Sequence, residues 1–261
     1  MGLSDRIEDV LAKVREITRK TIADPEAELD YSKLARLLCH TSQSNTYIID
    51  SEGRILGYGW ISEYNCPIMF KLLEKGQMPA DYVGRLNRLK ETLVEDKSNS
   101  NCAYGDFPCK YRDKSTIYVP IFGKGERLGS LILARFGRPF DAADVLLGEH
   151  MSTLVGIEIL HERHKRSEEE AREKLTVQMA LKALSYSEMT SMKAIIGELK
   201  GDSGIIVASK VADQVGVTRS VIVNALRKLE SAGLIESRSL GMKGTHIKIT
   251  ARSLVKEIES L

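Results

Sequence analysis

The stretch 208–230, ASKVADQVGVTRSVIVNALRKLE, constrains this chain more than any other. Val211, Ala212 and Val215 fall on one face of a short helix, and Ile222, Ala225, Leu226 and Leu229 fall on one face of the next. Gly216 stands between them, where the chain must turn sharply, and glycine takes a left-handed conformation without steric cost. Val217 plugs the angle, Ala212 lets the second helix approach closely, and Ser209 and Thr218 are expected as N-caps of the two helices. Two helices in this relation form a helix-turn-helix over residues 208–227.

Burying those positions fixes what faces outward: Thr218, Arg219, Ser220, Val223, Asn224 and Arg227. In a groove of double-stranded DNA, Arg and Asn reach base edges, hydroxyls reach phosphates, and the helix N-terminus favours an anion. Residues 231–233 close the second helix, and LIESRSL and THIKI then read as a hairpin around Gly241-Met242-Lys243-Gly244. This is a wing, with Lys243 at its tip and Arg238 and Lys248 on its strands. The net charge of +2 announces no nucleic-acid partner. Between residues 205 and 250, however, seven basic side chains (Lys210, Arg219, Arg227, Lys228, Arg238, Lys243, Lys248) stand against three acidic ones. Such an island is the footprint of phosphate contact.

With 261 residues, two domains are expected, and 43% hydrophobic with 28% charged residues is the composition of an ordinary globular protein. No apolar run is long enough for a membrane span, and the N-terminus alternates charge with apolar positions, so a cytoplasmic location is expected. None of the four cysteines is spaced as CxxC, so no metal is expected and reduced thiols are the simpler reading.

Apolar residues at helical spacing predict a helix over residues 3–22, ended by Asp24-Pro25, and a second over 31–39. TYIIDSEGRILGYGW reads as a hairpin turning at Ser51-Glu52-Gly53, and a helix is expected over 68–75. Residues 95–115 are polar and turn-rich and read as a long loop. STIYVPIF and RLGSLILARF form a second hairpin through Gly123-Lys124-Gly125-Glu126, and a helix starts at Asp141. An antiparallel sheet with helices results, an α+β domain over residues 1–160. The run HERHKRSEEEAREK is nearly all charge and predicts a solvated helical connector over 161–186 that docks at its far end, where LTVQMALKAL restores apolar spacing. The winged domain then occupies 187–261.

Two rival readings fit less well. A nucleotide-hydrolysing enzyme lacks its parts: GKGERLGS, residues 123–130, looks like a phosphate loop but has no lysine after its last glycine and joins two strands. A chromosome-architectural protein would carry far more positive charge.

The segment ASKVADQVGVTRSVIVNALRKLESAGLIESRSLGMKGTHIKI closely resembles the DNA-binding domain of the CodY family, nutrient-responsive transcriptional regulators of Gram-positive bacteria. SEGRILGYG, VPIFGKGERLGSLILARF, VGIEIL and VQMALKALSYSE extend the likeness more loosely along the chain. The resemblance implies a GAF-like sensor, a long linker helix, a homodimer or tetramer, and mainly repression at AT-rich palindromic operators. It implies a branched-chain amino acid (isoleucine, valine or leucine) as effector, with GTP as a possible second. The effector pocket would involve Met69, Leu72, Met78, Pro79, Tyr82, Phe107 and Pro108. Better-known members place an arginine just before this methionine, to pair with the ligand carboxylate; this chain has Ile68. Backbone N–H groups of residues 104–108, Arg85 or Arg88 are the expected substitutes. An effector other than a branched-chain amino acid is the alternative within the same architecture.

Overall fold

The computed structural model describes residues 30–61, 66–98, 102, 104, 113–199 and 201–260, with the isolated positions Glu8, Leu11, Ala12, Arg15 and Arg19. Those five are helical; the rest of the helix expected over 3–22 lies outside the described residues, as do Phe107 and Pro108. The chain divides into two compact units, Met1–Arg163 and His164–Leu261.

The first unit is built on a five-stranded antiparallel sheet in the order β2-β1-β5-β4-β3. Its strands are β1 (Asn45–Asp50), β2 (Ile55–Gly59), β3 (Leu93–Ser98), β4 (Asp113–Gly123) and β5 (Glu126–Phe136). Helix α1 (Tyr31–Ser42) begins where Asp30 Oδ1 accepts from the Ser32 and Lys33 amides at 2.9 and 3.0 Å. It lies close on one face of the sheet because Gly57 and Gly59 of β2 offer no side chain there: a Cβ at Gly59 would stand 2.4 Å from the Ala35 carbonyl oxygen. On the other face lie α2 (Pro67–Lys75) and α3 (Ala80–Asn87). All six residues of β1 are buried, as expected of a strand covered on both sides.

Helix α4 (Ala142–Lys182) continues the first core through Leu147, Met151, Leu154, Val155 and Ile159. Its start is pinned by a buried ion pair, Arg135 Nη2 to Asp144 Oδ2 at 2.6 Å, with Arg135 Nη1 also donating to the Ser42 carbonyl at 2.9 Å. From residue 161 to 172 every side chain is exposed, and burial resumes at Val177 and Leu181 in the second core.

The second unit adds α5 (Tyr186–Glu198), β6 (Ser203–Ile206), α6 (Ala208–Val215), α7 (Arg219–Ser231), β7 (Ile235–Ser239), β8 (Thr245–Ile249) and α8 (Leu254–Glu259). Its strands pair in the order β6-β8-β7. Ile222, Ala225, Leu226 and Leu229 of α7 are buried with Val211 and Ala212 of α6, and Val217 packs against the same cluster. Gly216 adopts φ +71° at the bend.

Three expectations need correction. The loop read over 95–115 is strand at both ends, since β3 pairs with β4 from Leu93–Tyr118 to Ser98–Asp113; its polar alternation belongs to an edge strand. Ser209 does not cap α6: the cap position is Val207, without a side-chain hydrogen bond, and Ser209 is exposed within the helix. Thr218 occupies the cap position of α7, but its hydroxyl pairs with Ser220 Oγ at 2.8 Å instead of closing onto the helix backbone.

Candidate DNA-binding face and effector cavity

The helix-turn-helix presents its polar edge as the burial pattern requires. Thr218, Arg219, Ser220, Asn224 and Arg227 are exposed, Val223 is half-buried, and Ser209 lies exposed on the preceding helix. The hairpin of β7 and β8 pairs Arg238 with His246 and Glu236 with Lys248, so these four leave the same outer face while Ile235, Ile247 and Ile249 turn inward. Lys243 is exposed in the 3-10 turn at the tip (Gly241–Lys243). Lys248 Nζ lies 3.6 Å from Glu236 Oε2, a surface pair that leaves it accessible.

Lys228 belongs elsewhere. Its ammonium donates to Glu188 Oε2 at 2.7 Å and to the Ala183 carbonyl at 3.0 Å, which ties α7 to the end of α4 and the start of α5. Its side chain stays 44% exposed, and these bonds tie its ammonium into the packing of the unit.

In the first unit, β4 and β5 supply the floor of a small cavity of about 60 Å³ through Lys114, Thr116, Tyr118, Ile132, Ala134 and Phe136. Asn45 and Tyr47 of β1 continue the floor; Met69 of α2, Tyr82 of α3, Cys66, Cys102 and Tyr104 close it. The rings of Tyr82 and Tyr104 lie 4.9 Å apart, and those of Tyr82 and Tyr118 6.5 Å apart. Tyr104 Oη donates to Met69 Sδ at 3.4 Å. Burial drives the tyrosine hydroxyls Tyr47, Tyr82, Tyr104 and Tyr118 above their ordinary range, so they stay neutral donors. Trp60 stands in the same layer against Phe70, ring centroids 4.6 Å apart.

Of the residues that the resemblance assigns to an effector, Met69 and Tyr82 line this cavity. Met78 and Leu72 pack in the same core cluster behind it, and Pro79 is the residue before α3. Arg85 and Arg88 do not line it: both are exposed, and the Arg85 guanidinium sits 5.7 Å from the Tyr82 ring centroid. Lys114, Thr116 and Tyr118 also lie on the floor; the run STIYVPIF is buried on both faces, so no alternation in the sequence marks these three, and their two-residue spacing puts them on one face of β4.

Residues 123–130 form the β4–β5 hairpin, turning at Lys124 and Gly125, and not a phosphate loop. Among the described residues, no helix is long and apolar enough to cross a membrane.

A winged helix-turn-helix joined through one helix to a domain with a lined cavity defines a transcriptional regulator with a ligand-binding sensor. The description "CodY GAF-like domain" matches residues 9–183, and "CodY helix-turn-helix domain" matches residues 202–261. The chain belongs to the CodY family. It is 43% identical to the global transcriptional regulator CodY of Clostridium perfringens over 97% of this chain and 98% of that one. It is 44% identical to CodY of Geobacillus kaustophilus over the same shares. The solved cofactor-binding GAF domain of the nutrient sensor CodY from Clostridium difficile is 27% identical, covering 58% of this chain and 97% of that chain with a TM-score of 0.41. The curated relatives are named as regulators and not as enzymes.

Proposed function

We propose that this chain is a cytoplasmic repressor whose affinity for AT-rich palindromic operator DNA is set by a branched-chain amino acid in the β4–β5 cavity. The observation that carries the reading is the pairing of an exposed Arg219, Ser220, Asn224 and Arg227 edge on α7 with a largely apolar cavity in the other unit. Arg219 and Asn224 serve as base readers, Arg227, Arg238, Lys243 and Lys248 as phosphate contacts, and a homodimer presents two such edges to two half-sites.

An aliphatic effector side chain gains about 0.8 kcal/mol per methylene buried against Met69, Tyr82 and Ile132. At about 60 Å³ the cavity is well below the roughly 150 Å³ of an engineered cavity that admits benzene, so occupancy requires wall side chains to move, Met69 being the most adaptable. A ligand that binds the opened arrangement better shifts the sensor towards it, and α4 joins that change to the DNA-binding unit. GTP is the second effector that the resemblance implies.

Calorimetric titration of isoleucine, leucine and valine into the full chain, with and without GTP, tests the effector. Gel-shift titration of an AT-rich palindrome with and without the same ligands tests the coupling. A flat response to all three amino acids removes the effector from this reading, and an unchanged operator affinity removes the coupling.

A further inference from the structure

Lys114, Thr116 and Tyr118 leave the same face of β4, opposite Phe136, Ala134 and Ile132 on β5. These three rungs run the length of the cavity floor and grade from a cation at one end to an apolar rung at the other. Among the described lining residues, Lys114 is the sole side chain of full charge, and no carboxylate lines the wall. Beside it, Thr116 is 3% exposed, and its buried hydroxyl faces the Tyr118 hydroxyl without closing a well-formed hydrogen bond among the described residues. A buried hydroxyl without a well-formed hydrogen bond costs about 1–3 kcal/mol, so the Thr116 hydroxyl gains by turning from Tyr118 to an incoming acceptor.

We propose that Lys114 holds the carboxylate of the effector, with the Thr116 hydroxyl as a second donor; this rests on the reading of the cavity as the effector site. A carboxylate entering an apolar, tyrosine-walled cavity is strongly disfavoured without a cation and donors. Thr116 lies about 7 Å along the strand from Lys114, within the span of the lysine's flexible four-carbon stem. A ligand with its carboxylate over the Thr116 rung then directs its side chain towards Tyr118, Ile132 and Met69. Ile68 supplies no charge, and Arg85 and Arg88 stand outside the cavity. The arrangement selects small molecules that combine a carboxylate with a branched apolar end, and it disfavours neutral analogues of the same shape.

The test compares isoleucine with isoleucinol, which keeps the side chain and the amine but lacks the carboxylate, by calorimetry on the full chain. In the native protein isoleucine binds at least about tenfold more tightly than isoleucinol. Lys114→Met removes that preference by weakening isoleucine alone, Lys114→Arg keeps most of it, and Thr116→Val weakens isoleucine by about three- to tenfold. Thermal melts establish that each variant is folded, and Lys114→Gln stands in if the methionine variant is not. Should isoleucine bind Lys114→Met as tightly as the native chain, this assignment fails while the effector reading stands. Should the native chain bind neither ligand, the effector reading fails and takes this assignment with it.

Discussion

Lys228 Nζ donates to Glu188 Oε2 at 2.7 Å, and the same carboxylate closes the capping box of α5 by accepting from the Ser185 amide through Oε2, also at 2.7 Å. One buried carboxylate thus fixes the helix that carries the DNA-binding edge to the helix that follows α4.

Because the Lys228 ammonium holds the Glu188 carboxyl below its ordinary 4.5, the pair contributes stability above that value and loses it as pH falls through the lower folded one. At pH 7, Glu188→Gln is expected to destabilise the winged unit by about 1–2 kcal/mol, with the gap to the native chain narrowing below about pH 4.5. Calorimetric melts across that range check the sign. Lys228→Met is expected to show the same loss in the melt, and to weaken operator binding less than Arg219→Glu does.

Arg219→Glu places a negative charge on the first turn of α7, where a phosphate or base edge is proposed to sit. Operator affinity is expected to fall on the order of a hundredfold or more, with melting temperature and effector affinity unchanged. Gel-shift titration at two salt concentrations reads it, and an unaltered affinity would overturn the groove assignment.

Gly216 has open space where a Cβ would stand, yet its φ is +71°. Substitution there meets backbone strain alone, so Gly216→Val should cost about 1–2 kcal/mol and Gly216→Asn clearly less. Chemical denaturation of the two variants side by side separates strain from crowding; equal losses would argue for crowding.

Asp144 is 3% exposed and faces an Arg135 that is 1% exposed. Asp144→Ala leaves that guanidinium buried without its carboxylate and is expected to cost the sensor unit about 3–5 kcal/mol. Replacing both residues by apolar ones of similar volume should recover much of the loss in the same melt.

Cys66 and Cys102 border the cavity, whereas Cys39 is buried and its thiol is pushed up to about 11 by burial. Iodoacetamide at pH 8 is expected to label Cys66 and Cys102 well before Cys39. A saturating effector should slow the first two and leave the third unchanged, as peptide mass spectrometry would show.

The winged unit was legible because each of its signals is local. Val211, Gly216, Ile222 and Leu229 sit at spacings that admit one packing, and the hairpin follows at once. Helix α5 and strand β6 were missed: β6 is four residues long and is defined by its pairing with β8, some forty residues away, which no local pattern encodes. The cavity was half legible. Met69 and Tyr82 came through the family resemblance, while Lys114, Thr116 and Tyr118 became a group once β4 and β5 were in register. Lys228 looked like one more phosphate contact because composition counts charges without their partners, and only the fold brings Glu188 beneath it.

The sequence holds a single tryptophan, Trp60, and it lies against Phe70 in the sensor layer. Excitation at the red edge of protein absorbance therefore lights one half of the chain and leaves the other dark. Emission changes on adding a small molecule report the sensor directly, and melting of the DNA-reading half passes unseen unless a second indole is engineered into it.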